Sequence, residues 1–107
     1  MTPDRPGLAL LLEDSPHNRA ACALLEGDCQ ARGIYCEIYT LSAALAEGAD
    51  GLLAALTPRE ALHAILCTLP HSHPIPPEKD MGAHPIDTPE GRTALLEAVC
   101  AAARWEN

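Results

Sequence analysis

Residues 8–12 read Leu-Ala-Leu-Leu-Leu, and this unbroken apolar run constrains the chain more than any other feature. A half-exposed strand alternates in polarity, whereas a strand covered on both faces reads as a continuous apolar stretch. The run therefore predicts a sheet lying between helical layers. Glu13-Asp14-Ser15-Pro16 ends it and opens a helix. Asp14 or Ser15 can cap that helix, and proline suits its first turn because the missing N–H has no helical partner there. The helix is expected from about residue 16 to 32. Ala20, Ala21, Leu24, Leu25 and Asp28 or Cys29 fall near the spacing of an inner face, and Gly33 stands in the closing position. Gly27, inside the helix, costs about 1 kcal/mol relative to Ala, a cost that close packing could explain.

Residues 34–40 alternate and contain Ile and Tyr twice each, which predicts a second strand. Ser42 can cap a short helix over 43–47, broken by Gly48 and Asp50-Gly51. Residues 52–56 and 62–68 are two further apolar runs, read as third and fourth strands. The link between them is short, and a parallel crossover needs roughly a dozen residues, so an antiparallel hairpin is expected. A helix over 58–66 is the alternative. Pro70, Pro74, Pro76, Pro77 and Pro85 make residues 69–88 a loop region, with room for a short edge strand near 74–77. Thr88-Pro89-Glu90 starts a last helix running to about residue 104. Leu95, Leu96, Val99, Cys100 and Ala103 form its apolar side, and Trp105 is expected to anchor its end. The reading is one α/β domain over residues 1–107, with a β-α-β-α-β-β core at 8–68. Its expected architecture is a three-layer α/β/α Rossmann-like domain. The sheet should be mixed and mostly parallel, with four to five strands, one of them antiparallel.

The formal charge of −8, from 15 acidic and 7 basic side chains, argues against nucleic acid, whose phosphates call for Lys and Arg. It argues equally against anionic membrane surfaces. No apolar run approaches the roughly 20 residues that cross a bilayer, and no basic stretch precedes residues 8–12. A cytosolic protein is expected. The five cysteines, Cys22, Cys29, Cys36, Cys67 and Cys100, are odd in number and lack any CxxC or zinc spacing, so they read as small buried hydrophobes. No glycine-rich phosphate loop occurs: Gly7, Gly27 and Gly33 are scattered.

Two local motifs suggest chemistry. His71-Ser72-His73-Pro74, with Asp80, resembles the zinc core of JAMM metalloproteases, in which two His and an Asp hold the metal. The segment from His73 to Asp80 is shorter than that family's, and Glu78-Lys79 stands where it has a Ser. Residues 10–19 (LLLEDSPHNR) resemble the start of a response-regulator receiver, with Glu13 and Asp14 as the magnesium-binding acidic pair. His84-Pro85-Ile86-Asp87 resembles the receiver's Lys-Pro passage. No Asp stands on 52–56 or 62–68 to accept phosphate, and His84 replaces the Lys.

A longer resemblance follows about 90 residues. Pro6-Gly7 leading into residues 8–12 is similar to the opening of the small subunit of diol and glycerol dehydratase reactivases. Ala31-Arg32-Gly33-Ile34-Tyr35-Cys36 resembles the family's passage from first helix to second strand. Residues 41–46 resemble its Ala-rich second helix. Residues 51–56 and 62–68, then Leu69-Pro70 with Pro74-Ile75, resemble its hairpin and exit, and residues 90–99 its last helix. The resemblance implies a non-catalytic, chaperone-like subunit of Rossmann-like fold. Such a subunit docks to a large Hsp70-like ATPase subunit and exchanges with a subunit of a cobalamin-dependent dehydratase. ATP or ADP and Mg²⁺ would belong to the partner, and this chain alone would bind no cofactor. An acidic side chain on the first helix bridges the metal in that family. Here Ala31 takes its place, and Glu26 and Asp28 lie one turn earlier, rotated away.

Overall fold

The computed structural model describes residues 5–42, 48–82 and 84–104. Six elements follow in order: β1 (Gly7–Glu13), α1 (Pro16–Arg32), β2 (Tyr35–Leu41), α2 (Ala49–Leu56), β3 (Ala64–Cys67) and α3 (Pro89–Ala102). The strands form one parallel sheet in the order β2-β1-β3. Gly7 to Glu13 pair in register with Tyr35 to Leu41, and Leu8 to Leu11 with Ala64 to Cys67.

The apolar run at 8–12 is the middle of this sheet, and its alternate residues supply two cores. Leu8, Leu10 and Leu12 pack with Ala21, Cys22, Leu25 and Cys29 of α1 and with Leu95, Leu96 and Val99 of α3. Ala9 and Leu11 pack on the opposite face with Ala49, Leu53 and Leu56 of α2 and with Leu62, Ile65, Cys67 and Leu69. Helices therefore lie on both faces, as the continuous pattern requires. Each fully buried Leu contributes about 1.5–3 kcal/mol relative to an exposed one.

The helix ends follow their local chemistry. Ser15 Oγ accepts from the Asn18 N–H at 3.1 Å, and Pro16 occupies the first turn. Gly33 closes α1 with φ 73°, a left-handed conformation that favours glycine, and its N–H caps the helix carbonyls. Thr88 Oγ1 accepts from the Gly91 N–H at 3.0 Å at the start of α3. A Cβ on Gly91 would strike the Pro85 carbonyl, so this loop lies directly on the helix. Arg92 holds it there, donating from Nη1 to the Ile86 carbonyl at 3.0 Å.

The principal correction concerns residues 49–67. Residues 52–56 are helical, and β3 runs parallel to β1, so the hairpin does not form. Neither does the alternative helix over 58–66. Ala49, Leu53 and Leu56 are buried at the spacing of a helix face. With α2 in place, the whole of residues 42–63 carries the chain from β2 to β3, which is long enough for a parallel crossover. Among the described residues the sheet accordingly has three parallel strands rather than four or five with one antiparallel. No strand forms at 74–77. The outer edge of β3 is met instead by a single parallel bridge between Ile65 and Asp80. In it the Ile65 N–H donates to the Lys79 carbonyl at 2.7 Å, and the Met81 N–H to the Ile65 carbonyl at 2.9 Å.

The inner face of α1 is also rotated from the one expected. Ala21, Cys22, Leu25 and Cys29 are buried, while Ala20 and Leu24 face outward. A Cβ on Gly27 would meet no atom within 4 Å, so close packing does not explain this glycine. The short helix expected at 43–47 and the anchoring role of Trp105 lie outside the described residues.

Candidate functional site

In a β2-β1-β3 sheet the chain leaves β1 for one neighbour and later returns on its other side. The carboxyl ends of β1 and β3 thus border a crevice, the usual ligand position of open α/β sheets. A cleft of about 550 Å³ lies there. Leu12 and Asn18 line it from β1 and α1, Leu66 and Thr68 from β3, and Gly82, His84, Pro85 and Ile86 from the loop before α3. Residues of two sequence motifs, 10–19 and 84–87, therefore line one cleft at this end of the sheet.

Their side chains have identifiable tasks. Glu13 ends β1 and is exposed, and its carbonyl accepts from Asn18 Nδ2 at 2.8 Å. Asp14 is bonded by Arg19 Nη1 at 3.1 Å, and its own N–H donates to the Leu41 carbonyl at 2.8 Å. Thr68, just past the end of β3, supplies a hydroxyl-bearing side chain to the cleft where a phosphoacceptor would need a carboxylate. His84 Nδ1 is buried without a hydrogen-bond partner among the described residues. Thr68 and His84 thus line the cleft, whereas Glu13 and Asp14 stand beside it, exposed at the end of β1.

His71, His73 and Asp80 are not brought together. The Nδ1 atoms of His71 and His73 sit 2.9 Å from the carbonyls of Leu69 and Pro74. Asp80 Oδ1 accepts from the Gly82 N–H at 3.0 Å, beside β3. The carboxylate next to the histidine segment is Asp50, which sequence reasoning passed over. Its Oδ1 accepts from the N–H groups of Ser72 and His73 at 2.8 and 3.0 Å. Those two bonds hold the Asp50 carboxyl below its ordinary value. Among the described residues no group of three or more His, Cys, Asp or Glu is arranged to hold a metal ion.

Another cluster escapes sequence reasoning because its members lie far apart in the chain. Arg59 donates from Nη1 and Nη2 to Glu37 Oε1 and Oε2 at 2.8 and 2.7 Å. The Tyr39 hydroxyl donates to Oε1 at 2.5 Å, and the Tyr35 hydroxyl donates to Oε2. The Arg59 fork, assisted by both phenols, holds Glu37 down to about 2. Lys79 Nζ continues the assembly, donating to the carbonyls of Thr57 and Arg59 at 2.9 and 3.0 Å. The alternation in β2 that puts Tyr35, Glu37 and Tyr39 on one face is a usable signal. Nothing local marks Arg59 as their partner.

No helix among the described residues is long and apolar enough to cross a membrane. Comparison with protein-family models, with curated proteins and with solved structures finds no match to this chain.

Proposed function

We propose that the chain is a non-catalytic docking module built on a receiver-like β-α-β-α-β frame. The supporting observation is the crevice at the carboxyl ends of β1 and β3. Glu13-Asp14 ends β1, His84-Pro85 lines the opposite side, and Thr68 occupies the end of β3 where no carboxylate stands. A phosphoryl transfer needs an acceptor oxygen activated between a metal and a counter-cation. The lack of an acceptor Asp, with His84 in place of Lys, supports a cleft that shapes a surface and takes up no phosphoryl group. The test is incubation with a small acyl phosphate and Mg²⁺, read by intact mass. Unchanged mass is the expected result, and stoichiometric addition of a phosphoryl group would refute the non-catalytic reading.

A second reading concerns the partner. Small-subunit function in a dehydratase reactivase is supported by the outward face of α1. There Ala20, Leu24, Gly27 and Ala31 are all exposed, Leu24 by 57%. Without a carboxylate at Ala31, docking to a large ATPase subunit, and exchange with a cobalamin-dependent dehydratase, would use this apolar stripe rather than a metal bridge. Co-purification with either partner from a co-expressing host, lost in Leu24→Asp, is the outcome this reading requires. A chain that elutes alone beside both partners would exclude it. A cytosolic setting belongs with both readings, supported by an odd set of cysteines without paired spacing.

A further inference from the structure

Cys29 stands in the last turn of α1, and Cys36 is the second residue of β2. The turn through Gly33 folds one segment back beside the other. The Ile34 N–H donates to the Cys29 carbonyl at 2.8 Å, and the Gly33 N–H to the Gln30 carbonyl at 3.3 Å, which fixes the closure at both levels. Both side chains belong to the core between the sheet and the α1–α3 layer. Both also line a pocket of about 150 Å³, whose rim includes Arg5, Glu26 and Gln30. Cys29 is only 1% exposed, so this pocket is its route to small reagents.

The two thiols line the same pocket and act on each other's ionisation. The neighbouring Cys36 thiol draws the Cys29 thiol below its ordinary value, against the opposing effects of burial and of Asp28 and Glu26, with help from Arg32. Cys29 in turn pushes Cys36 upward, and burial adds to the rise. The remaining cysteines differ. Burial raises Cys22, Cys67 and Cys100, and Cys67 lies on the opposite side of the sheet. Two thiols on the wall of one pocket are the arrangement in which an attacking sulfur has its resolving thiol in place.

We propose that Cys29 and Cys36 form a reversible dithiol–disulfide modification site, oxidised by small hydroperoxides that enter through the pocket they share. The Cys29 sulfur attacks the peroxide; the O–O bond breaks, OH is transferred to sulfur, and the other oxygen leaves with a proton as water or alcohol. The Cys36 sulfur then attacks the sulfenic sulfur. The S–S bond forms, the S–O bond breaks, and hydroxide takes the Cys36 proton and leaves as water. The two sulfurs give up two electrons and the peroxide accepts them. A dithiol reductant reverses the change by exchange. The product ties the end of α1 to the start of β2.

The experiment treats the full chain with one equivalent of hydrogen peroxide. The expected result is loss of the mass of two hydrogens, regained with dithiothreitol. Arg32 lies between the two cysteines, so trypsin separates them and the cross-link appears as two joined peptides. Cys22→Ser, Cys67→Ser and Cys100→Ser should keep the cross-link. Cys36→Ser should lose it and leave Cys29 as a sulfenic acid that a dione reagent traps. A cross-link through Cys22 or Cys100, or oxidation of single thiols without a cross-link, would overturn the proposal. If Cys29→Ser fails to fold, the half-buried Cys36→Ser still decides the question.

Discussion

Glu37 accepts from four donors at once, and that single residue sets how the protein responds to acid. Its folded-state value of about 2 lies below the ordinary 4.5. A depressed carboxyl stabilises the fold when ionised, so its contribution is complete above about pH 4.5 and disappears as pH falls towards 2. Because Arg59 is partly exposed, solvent screening keeps that contribution small. Urea unfolding at neutral pH and at pH values across that window should show the loss, and Glu37→Gln should flatten the acid limb. An unchanged acid limb in Glu37→Gln would remove this role. Two glycines of α1 behave oppositely. Gly27 has open space where a Cβ would stand, so Gly27→Ala should raise stability by about 1 kcal/mol through helix propensity. Gly33 has φ 73°, and Gly33→Ala should lower stability by about 1 kcal/mol. Thermal unfolding of the two variants should move in opposite directions.

At the scale of elements, α2 decides the topology. Leu53 is fully buried beneath the sheet, and Leu53→Ala should cost about 2–5 kcal/mol, read as a lower urea midpoint with an unchanged slope. A helical α2 also predicts that the exposed Ala54 tolerates proline badly, whereas an edge strand could accept it. Elements with chemical punctuation are legible in the sequence: Ser15-Pro16 and Gly33 bound α1, and Thr88-Pro89 opens α3. The unbroken pattern at 8–12 is likewise enough to specify a strand covered on both faces. Residues 52–56 mislead because five apolar residues satisfy a strand and a buried helix alike. The deciding signal is Ala49, which extends the stripe by a turn at helical spacing. With that run read as a strand, the short link demands a hairpin that does not exist.

For the molecule as a whole, the cleft is the feature that sequence motifs foretell in part. Glu13-Asp14 and His84-Pro85 stand out on their own, but their meeting at one end of the sheet depends on β3 lying parallel beside β1, which a hairpin would deny. Thr68→Asp adds the missing carboxylate at the cleft. That variant, and not the parent, should gain thermal stability from Mg²⁺ with beryllium fluoride, a phosphoryl mimic. Indifference of the variant would show that the acidic pair and Thr68 are not arranged as in a receiver. The central place of β1 has a consequence for synthesis. It precedes both strands that pair with it, so its leucines emerge from the ribosome before either neighbour exists. The α3 side chains that complete the cover of Leu8, Leu10 and Leu12 follow all three strands in the chain. Until α3 follows, the nascent chain covers its most apolar strand only in part, an interval in which holding chaperones compete with aggregation.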